Sequence, residues 1–425
     1  MIRTVNPGVA RGGIAPPPSK SYTHRALVAG HLSGRLSRVL RPLDSDDTHA
    51  TARGLAALGS QVRCSAGRWQ IRPAPVVGSR QRTIDCRESG TTLRFLTAVA
   101  ALSDRPIRLV GRGRLPARPM DELYEALRTL GAQVRTERVG RALPCTIRGP
   151  IGPGCIDVRA DETSQHLSAL LMALPRVEGR SEIRLRGRSV SRTYIDATCA
   201  VLRAHGVRIH RRAHDYRIDG GQAYRATAFT VPGDASSAAY FWAAGALTGG
   251  RVSVRGIDRR WPQADLLLLD IVRRMGAAVR YGRSATEVTG PLHRGVTVDL
   301  TDAPDLYPLV GVLAALIPGQ KSRLRGAAHV RFKESDRYAG TARLVRALGG
   351  RVRASGGELT IEGTGAPRPL VLEHLDDHRL VMSAAVGALA ADAPSRIGDA
   401  RAVRKSFPGF WTSLSLLVRE RETAS

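Results

Sequence analysis

The sequence predicts an α/β protein of two domains, assembled from six related units with three in each domain. Three observations carry this expectation. The chain has 425 residues, too many for one ordinary hydrophobic core. A phrase in which a helix-like run meets a glycine and then an apolar strand start returns about every seventy residues. A second phrase, a polar residue opening a helix of small apolar residues, returns with the same period.

The first phrase reads Leu55-Ala56-Ala57-Leu58-Gly59 and returns around Gly131, Gly206, Gly276 and Gly349. Glycine suits a helix end, where the chain commonly turns through a left-handed residue. The second phrase begins near Ser19, Ser89, Thr163, Ser236, Asp305 and Asp376. Its helices are apolar nearly all round, which predicts burial. Between them lie short strand-like runs at 107–110, 183–186, 252–255 and 359–361. Each unit is therefore expected to be a β-α-β-α-β subdomain with two helices. Equivalent helices packed side by side would point their N-termini the same way. Two such domains facing each other would make a cleft of positive helix ends suited to a small polyanion.

Composition narrows the function. No apolar run approaches the roughly 18 residues that span a bilayer, and the first residues carry no apolar signal core. A cytoplasmic protein without membrane attachment is expected. The five cysteines are scattered and form no C-x-x-C pair, so free thiols are expected, with neither a disulfide framework nor a zinc site. The formal charge is +28, which raises the question of nucleic acid. The cations are spread evenly, however, and aromatic residues make up only 4% of the chain. Lys20, Lys321, Lys333 and Lys405 are the only lysines among 65 basic residues. A chain so biased to arginine keeps a lysine where its compact ammonium matters.

Three of the four lysines fall in candidate loop or cap motifs. Pro16-Pro17-Pro18 precedes Ser19-Lys20-Ser21-Tyr22-Thr23-His24-Arg25, which reads as a serine-capped helix start carrying two cations. Ser89-Gly90-Thr91-Thr92-Leu93-Arg94 repeats that design, with Gly90 admitting a ligand close to the backbone. Leu115-Pro116-Ala117-Arg118-Pro119-Met120 sets an arginine in a rigid loop. Thr163-Ser164-Gln165-His166 and Ser191-Arg192-Thr193-Tyr194 supply hydroxyl and amide groups. Phe332-Lys333-Glu334-Ser335-Asp336-Arg337 mixes cations with carboxylates, Asp377-His378-Arg379 opens the sixth buried helix, and Arg404-Lys405-Ser406 follows it.

Taken together these motifs resemble the enolpyruvyl transferases, in particular the EPSP synthase family. The matching stretches are PPSKSYTHRA (17–26), LDSDDT (43–48), ESGTTLR (88–94), LPARPM (115–120), TSQHLSALLM (163–172), SRTYID (191–196), GDASSAAYF (233–241), KESDR (333–337), DDHR (376–379) and RKSFPGF (404–410), in order from end to end. The resemblance implies a two-domain inside-out α/β barrel. One domain would be discontinuous, 1–18 plus 232–425, and the other inserted, 19–231, with hinges near 14–19 and 228–233 and the active site in the cleft between them. It implies transfer of the enolpyruvyl group of phosphoenolpyruvate to the 5-hydroxyl of shikimate 3-phosphate, in chorismate and aromatic amino acid biosynthesis. No metal or cofactor is implied, and no partner beyond these two small anions; a monomer is expected, with closure when both anions bind.

Residue by residue, the resemblance implies that Lys20, Ser21, Arg25, Thr163, Ser164, Gln165, Ser191, Tyr194, Asp305, His329 and Lys333 hold shikimate 3-phosphate. Lys20, Gly90, Arg118, Gln165, Arg337, Arg379 and Lys405 would hold phosphoenolpyruvate. Asp305 and Glu334 would exchange protons with the substrates, with Lys20 and Lys405 assisting. Thr163 and His329 depart from the family's usual Ser and Asn but keep a hydrogen-bond donor, and Glu88 replaces a common Asn. The room at Gly90 implies inhibition by glyphosate in competition with phosphoenolpyruvate. The sister enzymes acting on UDP-N-acetylglucosamine carry a reactive cysteine in the loop that reads LPARPM here; Cys155 lies a whole segment later. A basic nucleic-acid-binding protein is the alternative of a different class, and no helix-turn-helix, zinc or aromatic RNA-binding signature accompanies it.

Overall fold

The computed structural model describes residues 1–74, 82–212, 215–326, 328–365 and 367–419. Two compact domains result. The terminal domain comprises Met1–Pro17, Gly233–Arg259 and Gln263–Ser425, and the insert domain comprises Pro18–Pro232 with Arg260–Pro262. Bonds from Asp234 N to Pro17 O (2.9 Å) and from Ser19 N to Pro232 O (2.8 Å) stand beside the two divisions. The tongue Arg260–Pro262 was not anticipated. It joins the insert domain because Trp261 lies edge-on to Tyr22 (5.4 Å) and Phe229 (5.1 Å), and the Tyr22 hydroxyl donates to Pro262 O at 2.8 Å.

Among the described residues the insert domain holds six α-helices: α1 (Lys20–Leu32), α2 (Asp46–Ala57), α3 (Gly90–Ala100), α4 (Asp121–Thr129), α5 (Ser164–Ala173) and α6 (Arg192–Ala204). The terminal domain holds α7 (Ala235–Leu247), α8 (Leu267–Arg274), α9 (Tyr307–Ala315), α10 (Arg337–Ala347), α11 (His378–Ala388) and α12 (Phe410–Leu417). The repeating apolar helices are buried as their composition demands. In one domain α3 packs against both α1 and α5; in the other α7, α9 and α11 pack on one another. Gly59, Gly131, Gly206, Gly276 and Gly349 all have positive φ, from 80° to 111°, where a side chain would be strained.

Among the described residues, five of the six repeats carry one strand more than the expected β-α-β-α-β. Around α3, the strands Arg82–Asp85 and Ile107–Val110 run parallel; α4 then leads into a hairpin, Gln133–Thr136 with Cys145–Arg148, whose second strand pairs antiparallel with Ile107–Val110. The pattern is β-α-β-α-β-β. Its strand order recurs in five sheets, and the sixth is three-stranded, with Arg3–Val5 along one edge. The extra strands are short and solvated: Gln133–Thr136 buries only Val134, and His210–Arg212 buries nothing, so neither announces itself as a strand. Many arginines stand on the outward faces of these sheets, as in Lys321–Arg325, where Ser322 and Leu324 point inward and the three basic residues point out.

The chain crosses between domains in an exchanged manner. Val9–Ile14 runs into α1, yet pairs in parallel with Arg251–Arg255 of the terminal domain. Ala228–Thr230 runs into α7, yet pairs in parallel with Ser37–Leu40 of the insert domain. Each crossing strand completes the sheet of the domain being left. Among the described residues no helix is long and apolar enough to cross a membrane.

Candidate active site

In the insert domain, hydrogen bonds tie together the N-terminal ends of α1, α2, α3, α5 and α6. Lys20 Nζ lies 3.1 Å from Asp47 Oδ2, joining α1 to α2. Thr92 on α3 shares a bond of 2.7 Å with Thr51 on α2, which in turn meets His24 Nδ1 at 2.7 Å. Gln165 on α5 accepts from Arg94 at 2.9 Å and donates to Thr91 at 3.1 Å. Thr163 caps α5, its hydroxyl accepting from Gln165 N. These ends converge because each buried helix needs its opening N–H groups satisfied, and neighbouring polar caps supply the partners. Ser19 and Ser191 depart from the expected capping: neither side chain makes a cap bond, and the Ser19 carbonyl accepts from the Thr23 hydroxyl instead.

Arg25 is fastened rather than free. It donates to Thr198, to Ser21 O and to Tyr194 O at 2.8 to 3.0 Å and lies over the Phe95 ring. Two of its five N–H groups remain for a ligand. Ser191 stands at φ 56°, with its hydroxyl buried and without a hydrogen-bond partner. Ser164 is buried beside the Thr163 cap. Gly90 has a concrete reason to be glycine: a Cβ there would come within 2.6 Å of Arg118 Nη1 and 2.7 Å of Arg94 Nη1. The Arg118 side chain thus closes over the start of α3, where unpaired N–H groups and the helix dipole already favour an anion.

The terminal domain builds its own cluster on the equivalent ends. Arg337, the first residue of α10, reaches three carboxylates: Asp305 at 2.6 Å, Asp377 at 2.8 Å and Glu334 at 2.9 Å. Arg379 holds the other Asp305 oxygen at 2.7 Å and donates to Ser236 O at 3.4 Å. Asp377 also caps α11, accepting from Arg379 N at 2.8 Å. Burial opposes the Asp305 charge, but Arg379, Arg337 and Lys333 outweigh it and hold its carboxyl well below the usual range. His329 is buried, and burial, reinforced by Lys333, pushes it down to about 3. It is therefore a neutral imidazole, able to offer one donor and one acceptor. Lys405 closes the 3-10 segment Ala400–Lys405 and is half-buried.

The motifs thus sort into two sets. Lys20, Ser21, Arg25, Gly90, Arg118, Thr163, Ser164, Gln165, Ser191 and Tyr194 lie on the insert domain's helix ends. Asp305, His329, Lys333, Glu334, Arg337, Arg379 and Lys405 lie in the terminal domain, with Asp305, Glu334, Arg337 and Arg379 in one ion-pair network. Sequence reasoning assigned nothing to Asp47 or Asp377 and gave Arg94 only its charge at the start of α3; the three hold Lys20, Gln165, Arg337 and Arg379. Asp47 and Asp377 stood inside matching motifs, and only Asp377 has its cation, Arg379, beside it in sequence. A separate cleft of about 410 Å³, lined by His31, Leu58, Arg82, Leu102 and Arg105 among others, lies where α1 and α3 end and contains none of these motifs.

The architecture is that of the enolpyruvyl transferases. It superposes on an EPSP synthase from Acinetobacter baumannii with a TM-score of 0.81 at 24% identity, covering 99% of this chain and 98% of the other. It superposes on the enolpyruvyl transferase NikO from Streptomyces tendae with a TM-score of 0.78 at 17% identity, covering 98% and 97%. The sequence defines the branch. The family model of EPSP synthase (3-phosphoshikimate 1-carboxyvinyltransferase) matches residues 6–414. Relatives named 3-phosphoshikimate 1-carboxyvinyltransferase are 39% identical, from Methanoculleus marisnigri over 97% of this chain and 98% of that one, and from Thermococcus kodakarensis over 98% and 100%. The chain belongs to the EPSP synthase family.

Proposed function

We propose that this chain transfers the enolpyruvyl group of phosphoenolpyruvate to the 5-hydroxyl of shikimate 3-phosphate, giving 5-enolpyruvylshikimate 3-phosphate and phosphate. The observation that carries the reading is Asp305 held between Arg337 and Arg379, with Glu334 on the same Arg337. It pairs two carboxylates for proton exchange with two cations for an anionic reactant.

In the addition step the 5-oxygen bonds to C2 of phosphoenolpyruvate. Asp305 takes the hydroxyl proton, and Glu334 delivers a proton to C3. In the elimination step the C2–O bond to phosphate breaks, a proton returns from C3 to Glu334, and the methylene is restored. An acid and a base facing each other meet both demands. While paired with two guanidinium groups, Asp305 is a weak base. Arg337 and Arg379 turning to the substrate's carboxylate and phosphate would loosen that hold and raise its basicity as the complex forms. Buried arginines suit such bidentate contacts.

Gly90, Arg118, Gln165, Lys20 and Lys405 complete the proposed phosphoenolpyruvate contacts. Lys20, Ser21, Arg25, Thr163, Ser164, Gln165, Ser191, Tyr194, His329 and Lys333 supply those to shikimate 3-phosphate. The residues come from both domains, so the proposal includes their joint action on one substrate pair, in a cytoplasmic monomer. The loop around Arg118 carries no cysteine, which favours this reading over transfer to UDP-N-acetylglucosamine. Phosphate release assayed with each substrate alone and with both tests the reading.

A further inference from the structure

Asp265 lies in the 3-10 segment Ala264–Leu266, is 1% exposed, and makes no ion pair among the described residues. One carboxyl oxygen is bonded to the Ser236 hydroxyl. The other, Oδ1, is buried without a hydrogen-bond partner. Ser236 is in the first turn of α7, and its carbonyl accepts from Arg379 Nη1. Gln263, two residues before Asp265, clamps the same turn: its oxygen accepts from Ala235 N at 2.8 Å and its amide donates to Gly233 O at 2.9 Å. A buried acid therefore stands one residue behind the arginine whose other arm holds Asp305 at 2.7 Å.

We infer that Asp265 is a positioning residue for the anion site, acting through Ser236 on the placement and net charge of Arg379 and so on the capture of phosphoenolpyruvate. The inference rests on the proposed function and adds a residue to it.

The physical argument concerns charge. An unpaired carboxylate in the interior is costly, and it sheds that cost by keeping its proton. Burial, with Asp305 and Asp234 nearby, raises Asp265 to about 7, while Arg379 and the Ser236 hydroxyl pull it down. With Asp265 neutral, Asp305 is the one carboxylate paired to Arg379, and an incoming anion has one competitor to displace. With Asp265 ionised, a further negative charge acts on the same guanidinium, beside those of Asp305 and Asp234, and opposes the ligand. Asp265 touches neither reacting atom, so its effect belongs in KM for phosphoenolpyruvate and not in kcat.

The test is the pH profile of both constants for the wild type, Asp265→Asn and Ser236→Ala. Asn keeps the shape of a neutral Asp and cannot ionise. Between about pH 6.5 and about pH 8.5 the ratio of KM for phosphoenolpyruvate, wild type over D265N, is expected to rise roughly tenfold while the kcat ratio stays constant. Taking this ratio cancels the substrate's own ionisation. Ser236→Ala removes one oxygen and a bond to the charged form, so the midpoint of the KM rise should move to higher pH; this holds the proposal to account even if D265N folds poorly. Parallel KM profiles for wild type and D265N, an unmoved midpoint in S236A, or a loss confined to kcat would overturn the inference. A wild type that releases no phosphate from the two substrates would instead defeat the functional reading, and the inference with it.

Discussion

Asp305 and Arg379 form a 2.7 Å ion pair in which the cation is 5% exposed and the anion 21%. The anion is also shared with Arg337, so one carboxylate neutralises part of two buried guanidinium groups. The proposed base therefore also guards the site where the anionic substrate should bind.

Replacing Asp305 by Asn separates those tasks. Turnover should fall by roughly 10²- to 10⁴-fold, as for loss of a general base. Affinity for phosphoenolpyruvate should hold or improve, because a competing charge is gone. Glu334→Gln should lose turnover in the same range. Steady-state phosphate release, with calorimetric binding of phosphoenolpyruvate in the presence of shikimate 3-phosphate, checks both. Weaker binding in D305N would show that Asp305 orders the arginines more than it competes with ligand.

Asp377 has a structural burden. It is wholly buried, meets Arg337 at 2.8 Å and caps α11. Asp377→Asn keeps the shape but leaves Arg337 undercompensated in a region with little water. Breaking such a pair from one side costs about 3–5 kcal/mol. Urea denaturation of D377N should show a loss of that size, and an unchanged midpoint would contradict it.

Acid should destabilise the fold well above the usual carboxylate range. Burial pushes His24, His166 and His329 down to about 3. Once unfolded, each regains a pKa of about 6.5, so below that the unfolded chain binds more protons and stability falls as pH falls. Asp265, raised to about 7, has the opposite sign: between about pH 4 and 7 the folded state holds a proton that the unfolded state has lost. His31, which burial lowers to about 4, adds a fourth histidine; four histidines against one aspartate leave a net of about three protons near pH 5, a slope of roughly 4 kcal/mol per pH unit. Chemical denaturation between about pH 7 and about pH 4.5 measures it. A flat profile would mean these imidazoles become charged in the folded state.

Lys20 and Lys405 should not tolerate arginine. Lys20 is mostly buried and placed by Asp47 at 3.1 Å, a geometry fitted to a compact ammonium. Most activity should be lost in Lys20→Arg and in Lys405→Arg, although each keeps its charge. Near wild-type turnover in both would show that the chain retains lysine there for some other reason.

Much of this architecture was legible because it repeats. The glycines after Leu58, Leu130, His205, Met275 and Leu348 mark helix ends, and the polar residues before the apolar runs mark buried helix starts. The hairpin strands were not legible, because His210–Arg212 and Gln133–Thr136 are short, polar and solvated. Nor was the tongue at Trp261, whose burial depends on Tyr22 and Phe229, far away in sequence. Within the site the cations announced themselves by residue type. Their partners did not, because Arg337 with Asp377 and Arg94 with Gln165 are pairs made by packing across 40 and 71 residues.

The central claim meets its most direct test in phosphate release from the purified chain, with the enolpyruvyl product followed in parallel. Phosphate should appear only when phosphoenolpyruvate and shikimate 3-phosphate are both present, one for each enolpyruvyl ether formed. Release from phosphoenolpyruvate alone, or release that UDP-N-acetylglucosamine supports and shikimate 3-phosphate does not, would contradict it.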